Sequence, residues 1–279
     1  MKILFLIVTS LLSIFNCYSQ TNFNKIDDIA SIEADYNLLF KPDSTSKAIE
    51  QDYQILLIGK KISKYESRGK KISDSLLAIF ATLPFNQSSA DFYIQQRNQL
   101  PKNKIKFTIY KSKQENIIRY CDQIGINDYF YDEPTTIFIW KLLPEKAVIN
   151  GYSCQKATTY FAGRIWQAWF TRQLPFSDGP YKFCGLPGLI IKISDTGNNF
   201  SFELVKFKKL SGSLSLKLPG ISQLTKTTKR DFLKGRENQR SNALSHLTSS
   251  GELSINKEQL QQLRRNNDAR KYNPIEIKY

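Results

Sequence analysis

The sequence predicts a mainly β protein, with an antiparallel sheet curled into an open half-barrel or a barrel and a few short helices. Two observations predict the sheet. Many short apolar segments alternate with polar residues at the period of two that is typical of half-buried strands. Turn-forming residues separate these segments from one another. A third observation concerns the last quarter of the chain, where Ser, Lys, Gln and Asn dominate after Lys208. This composition predicts a helical, basic C-terminal region.

The first predicted strand spans residues 30–40, where apolar and polar side chains alternate. Two more strands are predicted at 51–59 and 62–67, followed by a short helix at 72–80. Residues 84–104 contain two prolines and many Asn, Gln and Ser residues, so we interpret them as a long loop.

Short strands continue through the middle of the chain. No linker marks a second domain, so residues 20–279 are expected to form one β-rich domain, in which 208–279 are a more polar, partly helical extension. The predicted strands are residues 105–109, 117–121, 136–142, 146–149, 152–161, 164–171, 189–194 and 200–207.

The extension is predicted to contain two helices and a final strand. Thr228 and Asp231 form a capping-box-like pair, which predicts a helix that continues to about residue 247. Residues 257–271 predict a second helix, because the segment ends just before an Asn-Pro pair. Residues 275–278 are expected to add an edge strand.

Residues 1–19 have the features of a signal peptide. Lys2 precedes an apolar run from Ile3 to Phe15, and a small-residue cleavage pattern follows. The run is too short for a bilayer-spanning helix, which needs about 20 residues. We therefore expect an exported protein, periplasmic or extracellular. Cys17 does not follow a small residue, which argues against a lipid anchor.

The chain is strongly basic. Its formal net charge is +15, and +14 without residues 1–19, because only Lys2 is lost. From Lys206 onward, 16 Lys and Arg residues stand against 6 Asp and Glu residues. Such an excess attracts nucleic acids, anionic membrane surfaces or acidic glycans. Export and the lack of a nucleic-acid-binding motif exclude nucleic acid as the expected partner. A solvated basic face or electrostatic contact with an anionic membrane surface remains.

A hairpin is predicted around Ala162-Gly163, with each residue of the preceding strand paired to one of the next. On this register Trp166 and Phe170 share one face, which is the expected core face. Trp169 falls beside Lys156 on the other face. It is either a surface aromatic with a cation–π partner or part of a second small core.

The segment Gly185-Leu186-Pro187-Gly188 predicts a type II turn, with Pro187 at its second position and Gly188 at its third. One interpretation is a tight structural corner. The alternative is a rigid docking rim flanked by Tyr181 and Phe183, which together with Lys156 and Trp169 would form the candidate binding surface.

No residue pattern commits the chain to catalysis, and no catalytic residue is assigned. Asp195-Thr196-Gly197 matches the aspartic-protease tripeptide, but it occurs once and lies between two predicted strands, as a hairpin loop does. No metal site or cofactor is expected, because the one histidine, His246, is far in sequence from the dispersed cysteines. Asp132-Glu133, in an apparent loop before Pro134, leaves open a carboxylate pair that cleaves a glycosidic bond.

Three cysteines follow the signal peptide: Cys121, Cys154 and Cys184. An oxidising envelope permits one disulfide among them and leaves one thiol over. Cys154 and Cys184 lie on either side of the aromatic hairpin, so we expect this pair. Cys121 is the alternative partner for either.

Four motifs within residues 149–193 form a specific pattern: Gly151-Tyr152-x-Cys154-x-Lys156-Ala157, Gly163-Arg164-x-Trp166-x-Ala168-Trp169, Gly179-Pro180-Tyr181-Lys182-Phe183 and the hexapeptide Gly185-Leu186-Pro187-Gly188-Leu189-Ile190. In these motifs the chain resembles the GLPGLI family, secreted proteins of Bacteroidetes-type bacteria with no assigned catalytic activity. The chain departs from the family pattern at Cys184, where glycine is more frequent, so a Cys154–Cys184 bridge would not be family-wide. The strand-rich layout is also similar to lipoprotein-carrier half-barrels of the LolA type.

These observations predict a non-enzymatic, exported cell-envelope protein. It would bind a hydrophobic or peptide-like ligand, a lipid, or an envelope or outer-membrane protein, with an aromatic-lined sheet as the binding element. The alternative is an envelope hydrolase or thiol-redox enzyme that uses a carboxylate pair or the unpaired thiol.

Overall fold

The computed structural model describes residues 27–100, 104–218, 224–249, 258–259, 261 and 271–278. The predicted signal peptide, Cys17 and most of the predicted helix at 257–271 lie outside these residues. His246 falls in a helix whose side chains are described only as far as residue 242.

The described residues form twelve strands, two helices that follow β3, a helix near the end of the chain and a short 3-10 turn at Thr135–Ile137. The helices are α1 (Arg68–Phe80), α2 (Gln87–Gln99) and α3 (Lys229–Ser249). The strands are β1 (Asp27–Phe40), β2 (Glu50–Ile58), β3 (Ser63–Ser67), β4 (Thr108–Ser112), β5 (Ile117–Ile124), β6 (Asn127–Glu133), β7 (Lys141–Ile149), β8 (Tyr152–Phe161), β9 (Arg164–Thr171), β10 (Leu189–Asp195), β11 (Phe200–Lys217) and β12 (Thr225–Lys226).

All twelve described strands belong to one sheet, in the order β12-β6-β5-β4-β3-β2-β1-β11-β10-β9-β8-β7. Neighbouring strands run antiparallel, except that β12 lies parallel to β6. The sheet is not closed, because β7 and β12 occupy its two edges. The mainly β prediction is therefore confirmed in its open form. None of the helices in the described part of the chain is long and apolar enough to cross a membrane.

The predicted hairpin is confirmed residue by residue. Phe161 pairs with Arg164, and the register continues to Gln155 and Phe170. Ala162 and Gly163 have φ values of 51° and 89°, as the two central residues of a type I′ turn require. Trp166 and Phe170 are both buried in the larger of two apolar clusters.

The two apolar clusters lie on opposite faces of the sheet. Alternate residues of β2 divide between them: Leu56 and Ile58 belong to the larger cluster, whereas Ile55 and Leu57 belong to the smaller. The larger cluster also receives the loop between β9 and β10. The ring of Phe183, for example, lies 4.7 Å from that of Trp166.

Helix α2 corrects the prediction of a loop at 84–104. Asn86 Oδ1 accepts a hydrogen bond from Ser89 N at 2.9 Å, and Ser89 Oγ accepts one from Asn86 N at 3.2 Å. This reciprocal capping box starts the helix. Ser89 is the only buried residue of α2, so its sequence lacks the apolar periodicity by which most helices are recognised.

Several strand predictions also need correction. Residues 136–142 do not form a strand of their own, because Thr135–Ile137 is a 3-10 turn and β7 is continuous through a bulge between Leu142 and Lys146. Strand β6 was not predicted, since its charged and amide residues are poor strand formers. The predicted edge strand at 275–278 is absent: the amides of Ile277 and Lys278 both donate to the carbonyl of Ala162.

Candidate functional site

The predicted docking rim is wrong, because its aromatic residues are inside the protein. Tyr181 is 3% exposed and Phe183 is 0% exposed. They lie in a loop that packs onto the larger cluster, where the ring of Tyr181 is 5.3 Å from that of Phe107. Burial of such large rings is strongly favourable, so exposure of these rings on a docking rim would lose that free energy.

The predicted type II turn is also wrong in type, although a turn is present. Gly188 N donates to Leu186 O at 2.8 Å, which closes a three-residue turn centred on Pro187. Gly188 has a φ of 156°, far from the value of about 80° at the third position of a type II turn. A Cβ on Gly188 would lie 2.1 Å from Thr171 O, so close backbone packing explains the glycine.

The predicted disulfides do not form, because Cys121, Cys154 and Cys184 are free and buried. Cys121 lies in the smaller cluster, on the opposite face of the sheet from the other two. Burial raises the pKa of Cys121 and of Cys184 to about 12, and it also raises the pKa of Cys154. A buried, protonated thiol is a poor nucleophile, so this arrangement does not favour thiol-redox chemistry.

The motif around Tyr181 instead contains a buried cluster of charges. Lys182 is 0% exposed, and its ammonium group lies 2.5 Å from Glu276 Oε1 and 2.9 Å from the hydroxyl of Tyr131. It also contacts Glu133. The Tyr181 hydroxyl donates a hydrogen bond to Glu276 Oε1 at 2.5 Å. This charge cluster connects the loop between β9 and β10 to β6 and to a segment more than 90 residues further along the chain.

Lys229, at the start of α3, completes the charge cluster. Its ammonium group lies 2.6 Å from Glu276 Oε2 and 2.8 Å from Glu133 Oε1. Burial alone would raise the pKa of Glu276, but the charges of Lys182 and Lys229 outweigh it and lower that pKa to about 2. Glu276 is therefore a carboxylate at neutral pH.

Arg164 binds the same segment through a second set of contacts. We call residues 271–278 the strap. The Arg164 guanidinium donates to the side chain of Asn273 at 2.5 Å, to Pro274 O at 2.7 Å and to Ile275 O at 3.0 Å. It also forms an ion pair with Asp195 at 3.0 Å and lies over the ring of Phe200. The fork-shaped donor set of Arg thus reads both the backbone and a side chain of the strap.

The carboxylates that the sequence left open for catalysis have structural partners. Asp195 accepts hydrogen bonds from the amides of Asn199 and Phe200 at 2.7 and 2.8 Å, so it organises the β10–β11 turn. Asp132 forms an ion pair with Arg119 at 2.8 Å, and Glu133 belongs to the charge cluster. Each of these carboxylates is therefore engaged in a structural contact.

Lys156 and Trp169 lie where the hairpin register placed them, on the face opposite the larger cluster. The Lys156 ammonium is 5.8 Å from the centre of the Trp169 ring, within the range of a cation–π contact. Trp169 is half-buried and also packs against the edge of the larger cluster.

Cross-strand pairing extends this face across three more strands, β10, β11 and β1. Trp169 pairs with Lys192, Lys192 with Glu203, and Glu203 with Asn37. Because paired residues share a face, the row continues on β1 to Asp35, whose carboxylate contacts Arg68 of α1. We call this the lysine face. Its lysines, identified by the same pairing, are Lys156, Lys192, Lys206 and Lys208.

The helical hairpin formed by α1 and α2 lies at the end of the lysine face. Helix α1 has no buried residue, and the two helices meet through Phe80 and Tyr93, whose ring centres are 4.8 Å apart. Seven large apolar side chains of this hairpin are exposed, and Phe85, between the helices, is 93% exposed. They are Ile72, Leu77, Ile79, Leu83, Phe85, Phe92 and Ile94.

Sequence reasoning predicted part of these features. The helix expected at 72–80 corresponds to α1, whereas α2 was missed because its segment contains polar residues typical of a loop. The signal for α2 was the pairing of Asn86 with Ser89 at capping-box spacing. The contacts of Lys182 and Arg164 with the strap were also missed, because local alternation does not reveal partners that are distant in sequence.

A family model matches a short stretch of this site. Residues 162–192 match a family described as a protein of unknown function (Porph_ging). The match includes Arg164, Tyr181 and Lys182, which are three of the residues that bind the strap. No curated protein matches the sequence.

Solved structures show a similar fold. Two structures of PNGF-II, in C2 and P21 space groups, have TM-scores of 0.50 and 0.51 at 16% and 15% identity. They cover 76% of this chain, which spans only 33% and 34% of theirs. A LolA superfamily protein, NE2245 from Nitrosomonas europaea, has a TM-score of 0.26 at 9% identity, covering 70% of this chain and 90% of its own. The PNGF-II structures support a related sheet architecture, whereas the LolA likeness is too weak to extend the comparison.

Proposed function

We propose that this chain is a non-catalytic, exported protein of the GLPGLI type that binds an anionic membrane surface in the cell envelope. The α1–α2 hairpin is its apolar contact, and the lysine face supplies the flanking charge. The observation that carries the proposal is the group of seven exposed apolar side chains on one helical hairpin. Export is supported by the signal-peptide pattern of residues 1–19.

The exposed apolar side chains of the α1–α2 hairpin can contribute substantially to the free energy of membrane binding. Exposed apolar patches of this kind, in a protein with a substantial core, mark sites of contact with proteins, ligands or membranes. Moving a Phe side chain from water into an apolar environment contributes about 1.5–3 kcal/mol. Phe85, at the tip between α1 and α2, is the side chain with most to gain.

The charge of this surface supports an anionic membrane over an uncharged apolar partner. The hairpin and the lysine face together contain eight basic residues and five acidic ones, a surplus of three, and Lys192 and Lys208 form ion pairs with Glu203 and Glu33. The net charge of the chain without residues 1–19 is +14. Near an anionic leaflet each Lys or Arg contributes about 1 kcal/mol, which falls off with ionic strength. Lys156 and Trp169 would extend the contact, with Trp169 at the level of the headgroups.

A hydrophobic ligand, a peptide or an outer-membrane protein would bind at the same surface. A lack of binding to vesicles would point to one of these partners. No arrangement of the described residues favours the hydrolase or thiol-redox alternative. The carboxylates examined above are engaged in structural contacts, and the three described thiols are buried.

The test is co-sedimentation of the mature protein with vesicles of phosphatidylglycerol and phosphatidylethanolamine, compared with phosphatidylcholine vesicles. We expect binding to the anionic vesicles that weakens between 50 and 500 mM salt, because added salt shortens the Debye length and screens the attraction. Phe85→Ser should weaken this binding about tenfold, which corresponds to about 1.4 kcal/mol.

The matched control is Ile126→Ser, at the β5–β6 turn, because Ile126 is 94% exposed and Phe85 is 93% exposed. This variant should bind like the wild type. No binding to anionic vesicles, or equal losses in the two variants, would contradict the proposal and direct the search to protein partners.

A further inference from the structure

The strap is bound both by its backbone and by buried side chains. Its backbone hydrogen bonds include Asn273 N to Pro42 O at 3.2 Å and Ile277 N to Ala162 O at 3.0 Å. Arg164 and the charge cluster add six contacts through buried side chains. Recognition by side chains, with backbone carbonyls as acceptors, is how a protein reads an extended peptide.

Three side chains of the strap meet different chemical groups. The Arg164 guanidinium donates to the amide oxygen of Asn273 and also to the backbone carbonyls of Pro274 and Ile275. Ile275 is buried in the larger cluster. Glu276 enters between Lys182 and Lys229, where Tyr181 donates a third hydrogen bond. The site thus requires an amide, an apolar side chain and a carboxylate, in that order.

The charge cluster depends on this carboxylate. Lys182 is fully buried, and a buried ammonium group is strongly unfavourable unless it is paired. Without Glu276, the charges of Lys182 and Lys229 would face Glu133 alone, which leaves an excess positive charge beside two tyrosine hydroxyls. An empty site would therefore attract an anionic group.

We propose that Arg164, Tyr181, Lys182 and Lys229 form a binding site for an extended peptide with a single glutamate, which the strap fills within the same chain and which a peptide of the same chemistry can fill in its place. The occupant is a segment with the pattern Asn-x-Ile-Glu, and a second copy of this chain carries one. This site is separate from the α1–α2 hairpin and the lysine face, so the two proposals succeed or fail independently.

The experiment uses a fluorescently labelled synthetic peptide with the sequence of residues 270–279. Its binding to the full wild-type chain is compared with binding to the full-length variant Asn273→Ala/Glu276→Ala, which weakens the strap and leaves Arg164, Tyr181, Lys182 and Lys229 unchanged. We expect the variant to bind the peptide at least about tenfold more tightly, because its own strap competes less. A peptide with Gln at the Glu276 position should lose about tenfold in affinity.

No binding by a folded variant, or equal binding of the Glu and Gln peptides, would overturn the proposal. Amide hydrogen exchange of the wild-type protein gives an answer even if the variant does not fold. If the strap is exchangeable, residues 272–278 should exchange at least about tenfold faster than β8 and β9, through local opening. Exchange of the strap as slow as that of these strands would make it a permanent part of the core and contradict the proposal.

Discussion

Lys182 Nζ lies 2.5 Å from Glu276 Oε1, although 94 residues separate the two in sequence. Lys182 belongs to the stretch that matches a family of unknown function, and Glu276 belongs to the strap. Both side chains are almost fully buried while the strap is in place. This ion pair therefore connects the strap to the loop between β9 and β10.

Removal of the Glu276 charge should destabilise the protein strongly at neutral pH. The pKa of Glu276 is lowered from 4.5 to about 2, and a shift of this size corresponds to about 3 kcal/mol of stability. We expect Glu276→Gln to reduce the free energy of unfolding by about 3–5 kcal/mol at pH 7, because it leaves Lys182 incompletely paired. Urea unfolding measures this change.

The same pair should produce a defined pH dependence. Because the folded-state pKa is lowered, its contribution is complete above about pH 4.5 and is lost as the pH falls towards about 2. The stability difference between the wild type and Glu276→Gln should therefore shrink over this interval. Glu203→Gln is the control, since Glu203 pairs with Lys192 at the surface, and a similar loss in both variants would contradict the importance of burial.

Gly188→Ala should destabilise the fold by about 2–4 kcal/mol, from backbone strain and overpacking together. A Cβ at this position would lie 2.1 Å from Thr171 O, where backbone would have to move. Gly212→Ala provides the comparison, because a Cβ there meets nothing within 4 Å. Thermal unfolding of the two variants should differ by several degrees, and equal melting temperatures would refute the close approach.

The two tryptophans of the β8–β9 hairpin should respond differently to truncation. Trp166 is fully buried, and Trp166→Ala is expected to cost about 3–5 kcal/mol. Trp169 lies half-buried on the lysine face, so Trp169→Ala should cost less than about 2 kcal/mol and leave the protein folded. Chemical denaturation of both variants checks the assignment of faces, and the reverse order would exchange them.

The buried cysteines should be inert in the folded protein. Burial raises the pKa of Cys121 and Cys184 to about 12, so almost none of either thiol is ionised at pH 8. We expect iodoacetamide to label neither residue in the native mature protein and all three thiols after unfolding, as read by intact mass. Fewer than three labelled thiols in the unfolded, unreduced protein would reveal a disulfide, and rapid native labelling would revive a thiol-redox role.

Local sequence pattern was sufficient for the parts of the fold that short-range physics determines. The alternation around Trp166 and the turn at Ala162-Gly163 predicted a register that pairing confirms, because the side-chain period of a strand and the turn geometry act over a few residues. The same reasoning failed for Tyr181 and Phe183. Their burial depends on the loop between β9 and β10 packing onto the larger cluster.

Long-range charge pairing was beyond the reach of sequence pattern. No local pattern marks Lys182 or Arg164 as buried, and each binds a partner more than 90 residues away. Helix α2 was missed for a different reason. Its surface is almost entirely exposed, so no apolar period is needed to hold it in place.

Depth-resolved fluorescence tests the membrane proposal most directly. Phe85→Trp places a reporter at the tip of the α1–α2 hairpin, and Ile126→Trp places one at an equally exposed site. With anionic vesicles that contain brominated acyl chains, we expect additional quenching over the wild type for Phe85→Trp and none for Ile126→Trp. Equal quenching of the two reporters, or none in either while the protein remains folded, would contradict insertion of the hairpin into the membrane surface.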